Sequence, residues 1–172
     1  MGNIAYVDGQ NLYMATARGR DPWRIDMRRF RVYLRNKYKV DEAYYFIGAF
    51  DDRHSSLYES LQRAGFILVF REHGMGLKSD KKGNVDVDLT LYALRDLIER
   101  GQEYEKALIV SGDGDYFRLV QYLIEKGRFE KMLLPCKRFA SSLYKRVSRE
   151  RYAYLDTPDM RALIGQKERP AS

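Results

Sequence analysis

At 172 residues and 45% apolar side chains, the chain is long enough to bury one full core and too hydrophobic to stay unfolded. No apolar run nears the roughly 20 residues that cross a bilayer. Its first residues fit neither a secretion signal nor, with Tyr6, a myristoylation site. The single cysteine, Cys136, excludes an internal disulfide and a thiolate zinc site, so a cytoplasmic protein without a membrane partner is expected. A formal charge of +7 favours an anionic partner, nucleic acid above all.

In chain order, residues 3–7 read as a short buried strand that runs straight into Asp8-Gly9-Gln10-Asn11. A helix begins at the N-cap Asp26 and passes through Met27, Phe30, Leu34 and Tyr38. Residues 43–50 are apolar and aromatic, a strand; 55–64 carry helical spacing and stop at Gly65; 66–70 form a third strand. A glycine- and lysine-rich loop over 74–84 leads into a helix over 85–100. Then follow a strand over 107–110, a helix over 116–126, a strand over 131–134 and a short helix over 141–147. A sixth strand over 152–155 precedes a last turn over 158–164, and residues 166–172 read as a flexible tail. Neither repeat nor linker divides the chain, so residues 1–165 make one domain.

Strands separated by helices predict a three-layer α/β domain with a mostly parallel central sheet. Right-handed crossovers permit the order 3-2-1-4-5, which sets the strand ending in Asp8 beside the strand ending before Ser111-Gly112-Asp113-Gly114-Asp115. Ligands of open α/β sheets bind beyond the strands' carboxyl ends at such a switch point.

Crowded carboxylates raise one another's pKa unless a cation or hydrogen bonds compensate, so acids converging there point to a metal. On a helical wheel of about 100° per residue centred on Val87, the inward arc holds Thr90, Leu91, Ala93, Leu94, Leu97, Ile98 and also Asp86. The same wheel turns Asp88 and Asp96 outward. Asp8, Asp86, Asp113 and Asp115 form the expected cluster, a hard-oxygen set suited to Mg²⁺ or Mn²⁺. Asn11 and Ser111 could orient water or a phosphate oxygen, or simply fill turn and cap positions.

Three segments in order, YVDGQNLY over 6–13, KKGNVDVDL over 81–89 and VSGDGDYF over 110–117, resemble the motifs of NYN-domain proteins. These are LabA-like bacterial relatives of PIN-domain nucleases, and the likeness covers most of residues 3–156. The resemblance implies a PIN-like, Rossmann-like fold and a metal-dependent ribonuclease or endonuclease acting on single-stranded or structured RNA. It places the acidic positions on Asp8, Asp86, Asp113 and Asp115, with Asn11 and Ser111 in support, and leaves a homodimer open. One departure is Tyr92, six residues after Asp86, where relatives often carry a further acid. That departure keeps an alternative in view, a nucleic-acid-binding or scaffold protein with a vestigial site. A phosphatase using the same acids is a third reading.

Lys78, Lys81 and Lys82 before Asp86, and Lys137 and Arg138 after the fifth strand, are candidate contacts to a nucleic-acid backbone. Fourteen tyrosines could stack on bases, although most are expected to pack. His54, His73 and Cys136 have no partners of matching spacing. Residues 86–90 spell the nucleophile pattern of haloacid-dehalogenase-type phosphatases but do not follow an apolar strand. Asp113-Gly114-Asp115 is no calcium loop, because the twelfth position is Ile124 rather than Glu.

Overall fold

A computed structural model describes residues 1–18, 21–71 and 85–167. Lys78, Lys81, Lys82, His73 and most of the tail therefore lie outside the described residues. The strands are β1 (Asn3–Asp8), β2 (Val40–Ile47), β3 (Ile67–Phe70), β4 (Ala107–Val110), β5 (Phe129–Leu134) and β6 (Tyr152–Tyr154). The helices are α1 (Gly9–Ala17), α2 (Met27–Tyr38), α3 (Ser55–Ala64), α4 (Val85–Glu99), α5 (Phe117–Glu125) and α6 (Pro158–Ile164). All strand pairs are parallel and the order is β3-β2-β1-β4-β5-β6, so the expected α/β sheet holds and gains β6 at its far edge.

β1 and β4 are buried on both faces because each is a central parallel strand covered by helices above and below. The period of two divides β1. Ile4 and Tyr6 enter the core under α4 and α5, while Ala5 and Val7 enter the core under α1, α2, α3 and α6. Asp8 continues the first series and so faces α4. Parallel pairing of Val7 with Val110 brings Asp8 and Ser111 to the same carboxyl edge.

Three differences from the expected elements have local causes. β2 spans Val40–Ile47 rather than 43–50, starting directly after Lys39, whose left-handed backbone (φ 52) ends α2. The stretch 158–164 is a helix with Thr157 as N-cap and Pro158 at its start, not a turn. Residues Gly9–Ala17, to which the sequence assigned no element, form α1. Asp8 caps it by accepting the Asn11 backbone N–H at 2.9 Å, and Leu12 and Thr16 pack inward at helical spacing.

The wheel for α4 was misphased. Val85, Leu89, Ala93 and Asp96 form its buried face, whereas Val87 (61% exposed), Leu91 (61%) and Ile98 (80%) look outward. Asp96, expected to face solvent, is fully buried and accepts the Tyr6 hydroxyl at 2.9 Å, with the Arg95 guanidinium 3.5 Å away. Small Ala93 lets the helix approach the sheet, and Tyr92 packs edge-on against Tyr44 and Phe46. Polar matching and aromatic packing thus outweigh a simple count of apolar residues. Removing the donor strands a buried carboxylate, so Tyr6→Phe should lower unfolding stability by about 1–3 kcal/mol in urea titration. An unchanged midpoint would show that the Arg95 and Arg100 side chains suffice to hold Asp96.

Candidate metal centre

Each acidic side chain is delivered by a different device. Asp8 ends β1, Asp86 sits in the first turn of α4, and Asp113 and Asp115 occupy the turn between β4 and α5. That turn is held from within. Ser111 Oγ accepts the Asp113 N–H at 3.1 Å, and Asp113 Oδ1 accepts the Asp115 N–H at 3.0 Å. Neighbours clamp it as well. The Asn11 side-chain oxygen accepts the Gly112 N–H at 2.8 Å, and the Ser141 N–H donates to the Gly112 carbonyl at 2.9 Å. The Tyr144 hydroxyl donates to the Asp113 carbonyl. Position 114 admits only glycine without displacement, because a Cβ would stand 2.7 Å from Ser141 Oγ.

Asp86, Asp113 and Asp115 converge, each offering a carboxylate oxygen within 4.8 Å of the others. Oxygens on opposite sides of a Mg²⁺-sized ion lie about 4.2 Å apart, so this donor set fits one hard divalent cation with little movement. Asp8 stands behind the trio. It is buried and receives the Asn11 N–H, the Ser111 hydroxyl at 3.3 Å and the Tyr116 hydroxyl at 3.1 Å. The same Tyr116 hydroxyl lies 2.8 Å from Asp86 Oδ1. One phenolic hydrogen therefore serves two carboxylates.

Burial is the first cause of a raised pKa at both Asp8 and Asp86. Hydrogen bonds from Asn11, Tyr116 and Ser111 oppose it at Asp8, and the Tyr116 bond opposes it at Asp86. The charges of Asp113 and Asp115 raise Asp86 further. Tyr116 itself is pushed far up, chiefly by burial and then by the two carboxylates, and stays a neutral donor. Its role escaped the sequence reading. The available signal was a tyrosine next to the acidic turn, on a residue type that seeks a polar partner when buried.

The basic candidates separate. Lys137 and Arg138 are exposed on the loop after β5, which also supplies Ala140 against Gly112, so both stand beside the acidic turn. The Lys137 backbone N–H donates to Asp156, and Arg138 lies over the Phe139 ring. Asp88 is half-buried on the flank of α4, outside the converging trio. His54 is exposed and packs against Tyr58. Among the described residues, no helix is long and apolar enough to cross a membrane.

An all-parallel α/β domain with acids converging at the carboxyl edge of β1 and β4 has the architecture of the PIN-like nuclease superfamily. Residues 4–160 match the NYN domain, and the chain belongs to that family. It is 24% identical to the low amplitude and bright protein LabA of Synechococcus elongatus, over 96% of this chain and 88% of LabA. A crystal structure of a protein of unknown function from Vibrio parahaemolyticus shares the fold, with a TM-score of 0.70 and 24% identity. That match covers 90% of this chain and 93% of the other.

Ionising a carboxyl whose folded pKa is raised costs stability. For Asp86 that cost appears as pH climbs from the ordinary 3.8 through the raised value. Asp86→Asn cannot ionise, so in chelator at pH 8 it should melt above the native protein. The gain should vanish as pH falls toward 4. An equal gain at both pH values would mean that the substitution acts through packing instead.

Proposed function

We propose that the protein is a divalent-metal-dependent nuclease acting on RNA, with Asp86, Asp113 and Asp115 holding Mg²⁺ or Mn²⁺. Asp8, Asn11 and Ser111 support that set. The observation that carries this reading is the convergence of the three carboxylates on a donor set that fits a hard cation, at the edge where α/β folds bind ligands. A cation there would neutralise charge on a scissile phosphate and make water a stronger acid.

The chain's own groups do the rest. Asp8 fixes the Tyr116 phenol, and the phenol fixes Asp86, so the acid from α4 is oriented by a group anchored to β1. Asn11 and Ser111 hold the backbone of the acidic turn, which sets the directions of Asp113 and Asp115. Lys137 and Arg138, beside that turn, are placed to meet the phosphates of a bound strand. Lys78, Lys81 and Lys82 precede Asp86 in sequence and would add to the same attraction. Tyr92 packs among aromatic rings and supplies no ligand, so the metal set rests on the acidic turn and Asp86 rather than on a second acid of α4.

Purified protein incubated with labelled single-stranded RNA should cut it in Mn²⁺ or Mg²⁺ and stop with chelator. Asp113→Asn and Asp86→Asn should lower the rate by at least about 100-fold, whereas Asp88→Asn should leave it within a few-fold of native. Cleavage that persists in chelator, or equal losses at positions 86 and 88, would sink the assignment.

Tyr116→Phe gives a separate check on the support beneath the metal. Outer-shell partners typically govern affinity by about 10–100-fold, so Mn²⁺ binding by calorimetry should weaken by that order. Unaltered affinity would place Tyr116 in the core alone.

A further inference from the structure

A cavity of about 570 Å³ lies on the opposite face of the sheet from the acids, at the same carboxyl edge. It is walled by the later turns of α1, the end of β2, the start of α3 and the segment before α2. Its size is that of a small-ligand site, and such sites are mostly apolar with a few fixed polar groups. The chemistry of the walls is selective. Tyr13, Tyr45 and Tyr58 contribute aromatic surface, and Arg18 and Arg24 contribute positive charge. No Asp or Glu lines it among the described residues.

Neither arginine has a carboxylate partner among the described residues, and the Arg18 guanidinium instead lies 6.0 Å from the centre of the Tyr13 ring. An aromatic cavity whose described lining holds no acid, with two guanidinium groups that have no carboxylate partner among the described residues, fits a planar base carrying a phosphate. Base-on-aromatic stacking and arginine contacts are the usual means of holding single strands.

The cavity and the acids share bordering elements. Tyr45 lines it, pairs in the sheet with Val7, and passes so close beneath Gly9 that a Cβ there would stand 2.3 Å from the ring. Helix α1 is the shared wall. Asp8 and Asn11 at its start face the acidic turn, and Tyr13 and Ala17 border the cavity. Gln10 is exposed between them, and Tyr13 and Met14, about one helical turn further along, are exposed as well.

We propose that this cavity is a nucleotide subsite. It seats the base of a residue flanking the phosphodiester at the acids, with Arg18 and Arg24 on the adjoining phosphate. The proposal rests on the nuclease reading for the position of that phosphodiester, and its test is chosen to separate the two.

Anisotropy of a labelled single-stranded RNA, measured on the full chain in chelator, reads binding without cleavage. Tyr13→Ala and Arg24→Ala should each raise the dissociation constant by about 5- to 100-fold. Tyr13→Phe and Arg24→Lys should keep most of the affinity, which separates recognition from folding. In a second arm, AMP should perturb amide signals around Thr16, Ile25 and Ile47 while binding more weakly than the RNA. Unchanged RNA affinity in folded Tyr13→Ala and Arg24→Ala overturns the subsite, even if Mn²⁺-dependent cleavage proceeds. AMP binding as tightly as RNA also overturns it, in favour of a site for free nucleotides. RNA held in an Arg24-dependent way but never cut supports the cavity as a base site and defeats only the nuclease reading.

Discussion

One phenolic hydrogen between a buried and a half-buried carboxylate sets the geometry on which the rest of this edge depends. Tyr116 links Asp8, the last residue of a central strand, to Asp86, the second residue of α4. Neither acid is positioned by its own backbone alone. Burial raises the pKa of Asp8, and its hydrogen bonds from Asn11, Tyr116 and Ser111 partly offset that rise. The molecule therefore stores an electrostatic cost at this edge, which a divalent cation would relieve. Sites that bind tightly often sit in such locally unfavourable arrangements.

Much of this was legible in the sequence because it follows from period and breaks. Apolar runs ending in Asp8 and in Ser111 marked two parallel strands, and their shared edge rested on an assumed strand order that right-handed crossovers permit. Ser55–Ala64 and Ala107–Val110 were placed to the residue, since Gly65 and the onset of the acidic turn are sharp boundaries. α1 was less legible. Its first residues, Gly9-Gln10-Asn11, are turn formers, and only the capping bond from Asp8 and the inward Leu12 and Thr16 make them helical.

The phase of α4 shows a different limit. A wheel weighs each residue by type, so it assigned Asp96 to water and Leu91 and Ile98 to the core. The fold inverts this because Asp96 meets a hydroxyl from the strand below, an encounter set by tertiary packing. The buried face then becomes Val85, Leu89, Ala93 and Asp96. Asp86 still reaches the acidic turn, since a helix's first turn overhangs the carboxyl edge and lies near the turn in either phase. Position along the axis mattered more than direction around it.

Charge distribution joins the two faces of the edge. With three acids converging on one potential cation position and Asp8 buried behind them, the remaining surface is more basic than the net +7 implies. Lys137 and Arg138 flank the acidic side, and Arg18 and Arg24 flank the cavity across α1. A polyanion is drawn to such a rim over a distance that salt shortens, while the acidic turn repels its phosphates unless a cation is present. In the nuclease proposed above, association and catalysis would thereby fall under separate control. The basic rim would recruit a strand whether or not metal is bound, and the metal would decide whether a phosphate can settle among the carboxylates. That division follows from where β1 ends, because Asp8 both closes the strand and begins α1, the helix that separates the acids from the cavity.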